Sequence, residues 1–406
     1  MLNPITPPQV TEALGNLLPQ LEEELGRVLA FWAHHMIADS GERIVGEISN
    51  DGKSDETAPV GVVYLSRILW TFSRATEFLG ESRWKAYADI AYSQLCSDFF
   101  DDEHGGVFWK TAAYGRVLSD KKQAYAHAFA LYGLSAYARV SASDEVKAEC
   151  DRLFDLIEQR FLHADHGGYW EALTRDWGEL QDSRLSSRDH HAPMSLNTHL
   201  HIMEAYSEYF RTYHRNDAQN ALRYLVELFL NRMYIAERGH LRMFWNEDWQ
   251  DVSTTVSYGH EIEASWLLHE AAELVGDSHV LDEVLPVVFS LVDNCRKYGT
   301  GPLGETFEEA DDPDTTRVWW CQAEALVGYL NAYQLRGGDA DVQSALSSWE
   351  FIKQAVIDKP LGEWRWYSSL DEQRQDPYIG GEWKACYHNG RALMEAITRI
   401  RALLGE

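Results

Sequence analysis

The feature that most constrains this chain is a short motif that recurs six times, a glycine followed by an aromatic or β-branched run. It reads Gly41-Glu-Arg-Ile-Val, Gly105-Gly-Val-Phe-Trp, Gly167-Gly-Tyr-Trp, Gly239-His-Leu-Arg-Met-Phe-Trp, Gly301-Pro-Leu-Gly-Glu-Thr-Phe and Gly362-Glu-Trp-Arg-Trp-Tyr. The leading glycines are 64, 62, 72, 62 and 61 residues apart, a period that accommodates two helices and a hairpin-like loop. Between the markers, apolar residues fall at helical spacing, as in Ile68, Leu69, Phe72, Ala75 and Leu79, or Leu222, Leu225, Leu228 and Phe229. This periodicity predicts twelve helices, near 9–36, 62–79, 82–100, 122–140, 144–162, 197–213, 217–233, 259–275, 278–297, 317–335, 341–357 and 387–403. Short links such as Leu79-Gly80-Glu81 and Ser141-Ala-Ser join members of a pair, and the glycine-marked connections are longer and turn-rich, as at Asn50-Asp-Gly. A closed ring of six pairs buries every apolar face, whereas an open solenoid needs polar caps that neither terminus offers. The expected fold is therefore all-α, a single (α/α)6 barrel spanning residues 1–406, with even-numbered helices inside and short β-hairpins at one rim.

Charge and cysteine usage narrow the partners. A net charge of -28, from 36 basic and 64 acidic residues, repels phosphate backbones and anionic membrane surfaces, so neither nucleic acid nor membrane is expected. The Met1-Leu-Asn-Pro-Ile-Thr-Pro-Pro start lacks a signal-peptide pattern, no apolar run is long enough to span a bilayer, and the five cysteines form no CxxC, which together read as a cytoplasmic protein with reduced thiols. Fifteen tryptophans suit both a packed core and stacking on sugar faces.

Polar residues cluster at the starts of the even-numbered helices. They are Arg67 in the second, Tyr125 and His127 in the fourth, Asn197, His199 and His201 in the sixth, and His260 and Glu263 in the eighth. Trp320, Gln322 and Glu324 follow in the tenth, and His388, Asn389 and Arg391 in the twelfth. One decorated end on every inner helix points to one shared pocket. His260 and Glu263, three apart, share a helical face, which predicts a carboxylate that orients the imidazole and raises its pKa. His199 and His201 differ by about 200° around the helix axis, so only one of them faces inward. Three histidines could bind zinc, but HExxH is absent and His260-Glu-Ile-Glu263 is no recognised ligand frame, so no metal is expected.

Five ordered blocks carry a family resemblance: Arg67-Ile-Leu-Trp-Thr-Phe, Asn197-Thr-His-Leu-His-Ile-Met-Glu-Ala-Tyr, Ser257-Tyr-Gly-His-Glu-Ile-Glu-Ala-Ser-Trp, Trp319-Trp-Cys-Gln-Ala-Glu-Ala-Leu and Tyr387-His-Asn-Gly-Arg. From about Leu21 to the C-terminus the chain resembles the cellobiose 2-epimerases of the N-acylglucosamine 2-epimerase superfamily. The resemblance implies an (α/α)6 barrel that inverts C2 of a reducing-end aldose through a cis-enediolate, without cofactor. By motif position it implies His260 and His388 as the acid/base pair, Glu263 as the partner of His260, His201 at the C1/O5 region, and Arg67 stabilising enediolate charge. Tyr125, Asp189, Asn197 and Glu308 are implied as polar substrate contacts, and Trp320 and Trp383 as stacking walls. The chain departs from the family pattern at Ala385-Cys386, where Gly-Pro is usual, and at Cys321, where Pro is usual.

The implied partner is a small mono- or disaccharide, cellobiose, mannobiose or lactose, acted on by a monomer or homodimer. Within the superfamily the alternatives are mannose 2-epimerase, N-acylglucosamine 2-epimerase and a mannose-type aldose–ketose isomerase. More distant are an (α/α)6 glycosidase using carboxylates such as Glu263 and Glu324, and a non-catalytic sugar-binding protein.

Overall fold

The computed structural model describes residues 7–185, 190–310, 316–371 and 373–406. Twelve α-helices among them follow the expected order: α1 (Pro8–His35), α2 (Val62–Leu79), α3 (Lys85–Phe99), α4 (Ala124–Ser141), α5 (Asp144–Leu156), α6 (Leu196–Tyr213), α7 (Asn216–Leu228), α8 (Tyr258–Val275), α9 (Ser278–Tyr298), α10 (Trp319–Arg336), α11 (Asp339–Phe351) and α12 (Tyr387–Leu404). Each even-numbered helix packs on the next, and α12 packs back on α2, closing an inner ring. The odd-numbered helices form the outer layer, with α1 covering α12. The fold is an (α/α)6 barrel.

The inner helices are buried on nearly all faces. In α4 every residue from Ala124 to Tyr137 is buried, which is why its apolar pattern runs all the way round instead of following one stripe. Tight αL stops at Gly80, Gly276 and Gly337 end α2, α8 and α10; two-residue links follow α8 and α10, and a five-residue link that includes a 3-10 turn at Ser82–Trp84 follows α2. Three outer helices, expected to run on regularly, end in a π-helical turn at Ile157–Phe161, Phe229–Met233 and Ile352–Val356. The expected helix 122–140 begins two residues later, because Lys122–Gln123 pair as a strand with Ala172–Leu173.

All six long connections run from the C-terminus of an outer helix to the N-terminus of an inner one, so they lie at one rim. Each opens with an antiparallel hairpin: Ile37 pairs with Ile44, Phe100 with Val107, Leu162 with Tyr169, Tyr234–Ile235 with His240–Leu241, Thr300 with Thr306, and Ile357–Asp358 with Glu363–Trp364. These are the glycine motifs of the sequence. At the opposite end, the last turns of the inner helices carry a charge lattice in which Arg211 joins Glu208 and Glu270, both at 2.8 Å, and Glu208 also takes Arg139. Among the described residues, no helix is long and apolar enough to cross a membrane.

Candidate active site

Aligning the inner helices on their first residues exposes two layers. The fourth residue of α4, α6, α8 and α10 is His127, His199, Glu261 and Gln322, and each reaches outward to hold the hairpin that precedes its helix. Val107 N–H donates to His127 Nε2 at 3.1 Å and Tyr169 N–H to His199 Nε2 at 2.9 Å. Leu241 N–H donates to Glu261 at 2.9 Å and Thr306 N–H to Gln322 at 2.8 Å. The remaining nitrogen of each imidazole, Nδ1–H, donates back to a carbonyl, Gln123 O or Ser195 O, at 2.7 Å. The doubled glycines of two motifs follow from this contact. A Cβ on Gly106 would lie 2.3 Å from His127 Nε2, and one on Gly168 would lie 2.5 Å from the Trp249 ring.

Two residues further on, about 200° around each helix, the side chain faces the barrel axis. This sixth position holds Arg67, Phe129, His201, Glu263 and Glu324 in α2 to α10. In α12, which starts one residue out of register, Asn389 and Arg391 take the two roles. Arg391, fully enclosed, shares Nη2 between Glu263 at 2.6 Å and Glu324 at 2.7 Å, while Nη1 meets Glu204 and Tyr387. Arg67 donates to the Tyr125 hydroxyl at 2.9 Å and the Trp383 carbonyl at 3.0 Å, and lies over the Phe129 ring.

Three imidazoles sit at or just above this layer with one nitrogen engaged. His201 Nδ1–H donates to Glu204 Oε2 at 2.8 Å, and His388 Nδ1 meets Glu324 Oε1 at 2.7 Å. His260 Nδ1 meets the Ser257 hydroxyl at 2.7 Å, and Ser257 Oγ also caps α8. Trp320 lies against both His260 and His388, with ring centroids 4.9 and 5.7 Å away. Gly259 permits this, since a Cβ there would meet the Trp320 ring at 2.5 Å and Cys321 Sγ at 2.6 Å.

The structure departs from two expectations. Glu263 is not the partner of His260: its carboxylate turns to Arg391, and the groups that orient the imidazoles are Ser257, Glu204 and Glu324. A shared helix face brought His260 and Glu263 close in projection, but the buried guanidinium from α12 is the stronger attractor for a buried carboxylate. The imidazole pKa values also move opposite to expectation. Desolvation lowers His260, and it lowers His201 despite Glu204; His388 is depressed by burial and then by Arg67 and Arg391. All three are neutral near pH 7. Burial raises Glu263 and Glu324, and Glu263 is raised further by Glu324, whereas Arg391 and His201 hold Glu204 well below the usual carboxylate range against its own burial.

The expected polar contacts gather round the same opening. Asn197 lies one turn before His201, and its Oδ1 is buried without a partner among the described residues. Glu308 takes the Trp320 indole N–H at 3.4 Å, and Tyr125 stands edge-on to His201, with ring centroids 5.0 Å apart. Trp383, half-buried in the last connection, leans on Trp109 from the connection between α3 and α4, and Asp189 lies outside the described residues. Sequence reasoning missed Glu204, Ser257 and Tyr387 as partners. Glu204 was accessible, since it follows His201 by three on the same face.

Residues 44–392 match the N-acylglucosamine 2-epimerase (GlcNAc 2-epimerase) family. A cellobiose 2-epimerase of Bacteroides fragilis is 37% identical over 386 residues, 94% of this chain and 98% of that protein. One from Ruminococcus albus is 34% identical, over 94% of this chain and 99% of that protein. The solved cellobiose 2-epimerase of Spirochaeta thermophila superposes with a TM-score of 0.90 at 35% identity, over 98% of this chain and 100% of that one.

Proposed function

Because the chain belongs to the N-acylglucosamine 2-epimerase family and is a carbohydrate epimerase, we propose that it inverts C2 of the reducing-end glucose or mannose of a β-1,4-linked disaccharide. The observation that carries this reading is the state of the histidines. Those that hold hairpins have both nitrogens engaged, while His201, His260 and His388 each keep Nε2 for the pocket.

The reaction starts from the open-chain aldehyde, whose C1 carbonyl acidifies the C2 proton. In one direction His260 Nε2, neutral and with Nδ1 turned to Ser257, takes that proton, and the C2 electrons move into the C1–C2 bond to give a cis-enediolate. His388 returns a proton to C2 from the opposite face, and its own proton is replaced through Nδ1 from the Glu324 carboxyl. The raised pKa of Glu263 and Glu324 supports this arrangement, since a proton resident on that pair leaves His388 as the Nε2–H tautomer. The return direction exchanges the two roles. Arg67 supplies a fixed cation for the enediolate oxygens, His201 serves the C1/O5 region during ring opening, and the unpartnered Asn197 Oδ1 accepts a sugar hydroxyl. Trp320 and Trp383 supply flat walls for the sugar rings.

Incubation of cellobiose, mannobiose and lactose in D2O, followed by NMR, tests the reading. The expected product is the C2 epimer with deuterium at C2. Product that retains its C2 hydrogen would overturn the two-histidine route, and deuterium at C1 of a ketose would indicate an isomerase.

A further inference from the structure

The axial network joins two histidines that lie on different helices. From His201 it runs through Glu204 Oε2 to Oε1, across Arg391 to the Glu263 and Glu324 carboxylates, and on to His388 Nδ1. Every member from Glu204 to Glu324 is buried, so each depends on the others for its hydrogen bonds. Three carboxylates surround one guanidinium. If all were ionised the cluster would hold a net charge of two negatives, which so deeply buried a site disfavours, so a proton is expected to reside on it.

Its location follows from how Arg391 is shared. Glu204 takes Nη1 together with the Tyr387 hydroxyl, and its other oxygen takes the His201 ring. Glu263 and Glu324 divide the single remaining amino group, Nη2. Glu204 thus has three donors to itself and holds the negative charge, and the proton falls to the pair beside His388. The groups facing this cluster are Arg67 from α2, Tyr132 from α4, His201 from α6, His260 and Trp266 from α8, Cys321 from α10, and Tyr387 and His388 from α12. Trp266 N–H is satisfied on Glu324 Oε2 at 3.0 Å.

We propose that Glu204 is a positioning residue that, by claiming one arm of Arg391, keeps a proton on the Glu263–Glu324 pair and so sets His201 and His388 in opposite tautomers. His201 faces an ionised carboxylate and is the Nδ1–H form, with an accepting Nε2 towards the sugar. His388 faces a protonated carboxyl and is the Nε2–H form, ready to donate. The directions of the carboxyl pKa shifts, Glu204 down and Glu263 and Glu324 up, agree with this division.

The proposal rests on the two-histidine reading above, and the test separates the two. Long-range 15N spectra of the histidines, assigned by difference with His201→Gln and His388→Gln, report tautomers without any substrate. In the unaltered protein at pH 7, His201 should appear as Nδ1–H and His388 as Nε2–H; finding His388 as Nδ1–H would overturn the proposal whatever the enzyme does with sugars. In Glu204→Gln, the freed Arg391 arm turns to Glu263 and Glu324, the proton leaves, and His388 should change to Nδ1–H. If the protein exchanges C2 hydrogen as proposed, the basic limb of kcat against pH should move to lower pH in this variant, because activity needs the proton that the pair now loses earlier. At pH 8 kcat should fall by about tenfold or more, with KM within about threefold. An unchanged basic limb and an unchanged His388 spectrum in a folded Glu204→Gln would sink the idea. Should that variant not fold, the tautomers of the unaltered protein decide. Absence of C2 exchange with the expected tautomers present would overturn the epimerase reading and leave the role of Glu204 standing.

Discussion

The hairpin sockets around the barrel and the pocket on its axis are built from the same residue types, on the same inner helices, two positions apart. His199 and His201 on α6 are the clearest pair. His199 accepts from the Tyr169 amide and donates to the Ser195 carbonyl, which leaves it no chemistry. His201 donates to Glu204 and keeps its second nitrogen for the pocket. Glu261 and Glu263 divide in the same way, one holding a hairpin amide and the other an axial guanidinium. A histidine at the mouth of a barrel is thus informative only once both of its nitrogens are accounted for.

The largest expected effect separates the two regions outright. His201→Ala, His260→Ala and His388→Ala should each lower kcat by at least about a hundredfold with little loss of stability, as removal of a positioned acid or base does. His199→Ala should do the reverse. Near-normal turnover in His388→Ala would erase the distinction. His199→Ala leaves the buried Tyr169 N–H without an acceptor and should cost about 1–3 kcal/mol in urea unfolding, with kcat changed by no more than about threefold.

The sockets also predict a pH dependence. Burial pushes His127 down to about 3 and His199 to about 4, from an ordinary value of 6.5. Below pH 6.5 the unfolded chain therefore binds protons that the folded chain refuses, so their contribution to stability is complete above that pH and lost as the pH falls towards 4. Each should add a slope of about 1.4 kcal/mol per pH unit within that window. The barrel itself suggests the sharpening variant, because in α10 the same socket is filled by Gln322, which does not titrate. His199→Gln should fold, keep its activity, and unfold with one proton less of acid dependence between pH 6.5 and 4. An unchanged slope would show that His199 is not the titrating group. At pH 7.5 this variant should differ from the parent by less than about 1 kcal/mol, the smallest effect of the series.

Much of the architecture was legible in the chain itself. The six glycine motifs mark six hairpins, the apolar period places twelve helices to within a few residues, and the clustering of polar residues at inner-helix starts locates the decorated rim. These features are local: a tight αL glycine and a period of 3.6 residues act within one turn of the chain, so they can be read without knowing what lies opposite. The choice between His199 and His201 was half legible, since the spacing shows that only one faces the axis but not which.

Partner choice was decided only by the closed barrel. His260 and Glu263 share a face, yet the carboxylate turns to Arg391, 128 residues away, and the imidazole to Ser257. His388 finds Glu324 on the neighbouring helix α10, and Glu204 reaches the Tyr387 hydroxyl across the axis, from α6 to α12. In a buried interior a charged group goes to whichever opposite charge ring closure brings nearest, and the same burial outweighs the carboxylates and keeps all three imidazoles neutral. Helical spacing determines which side chains face the axis; which of them meet is settled by the radius and register of the ring, which no single segment of sequence contains.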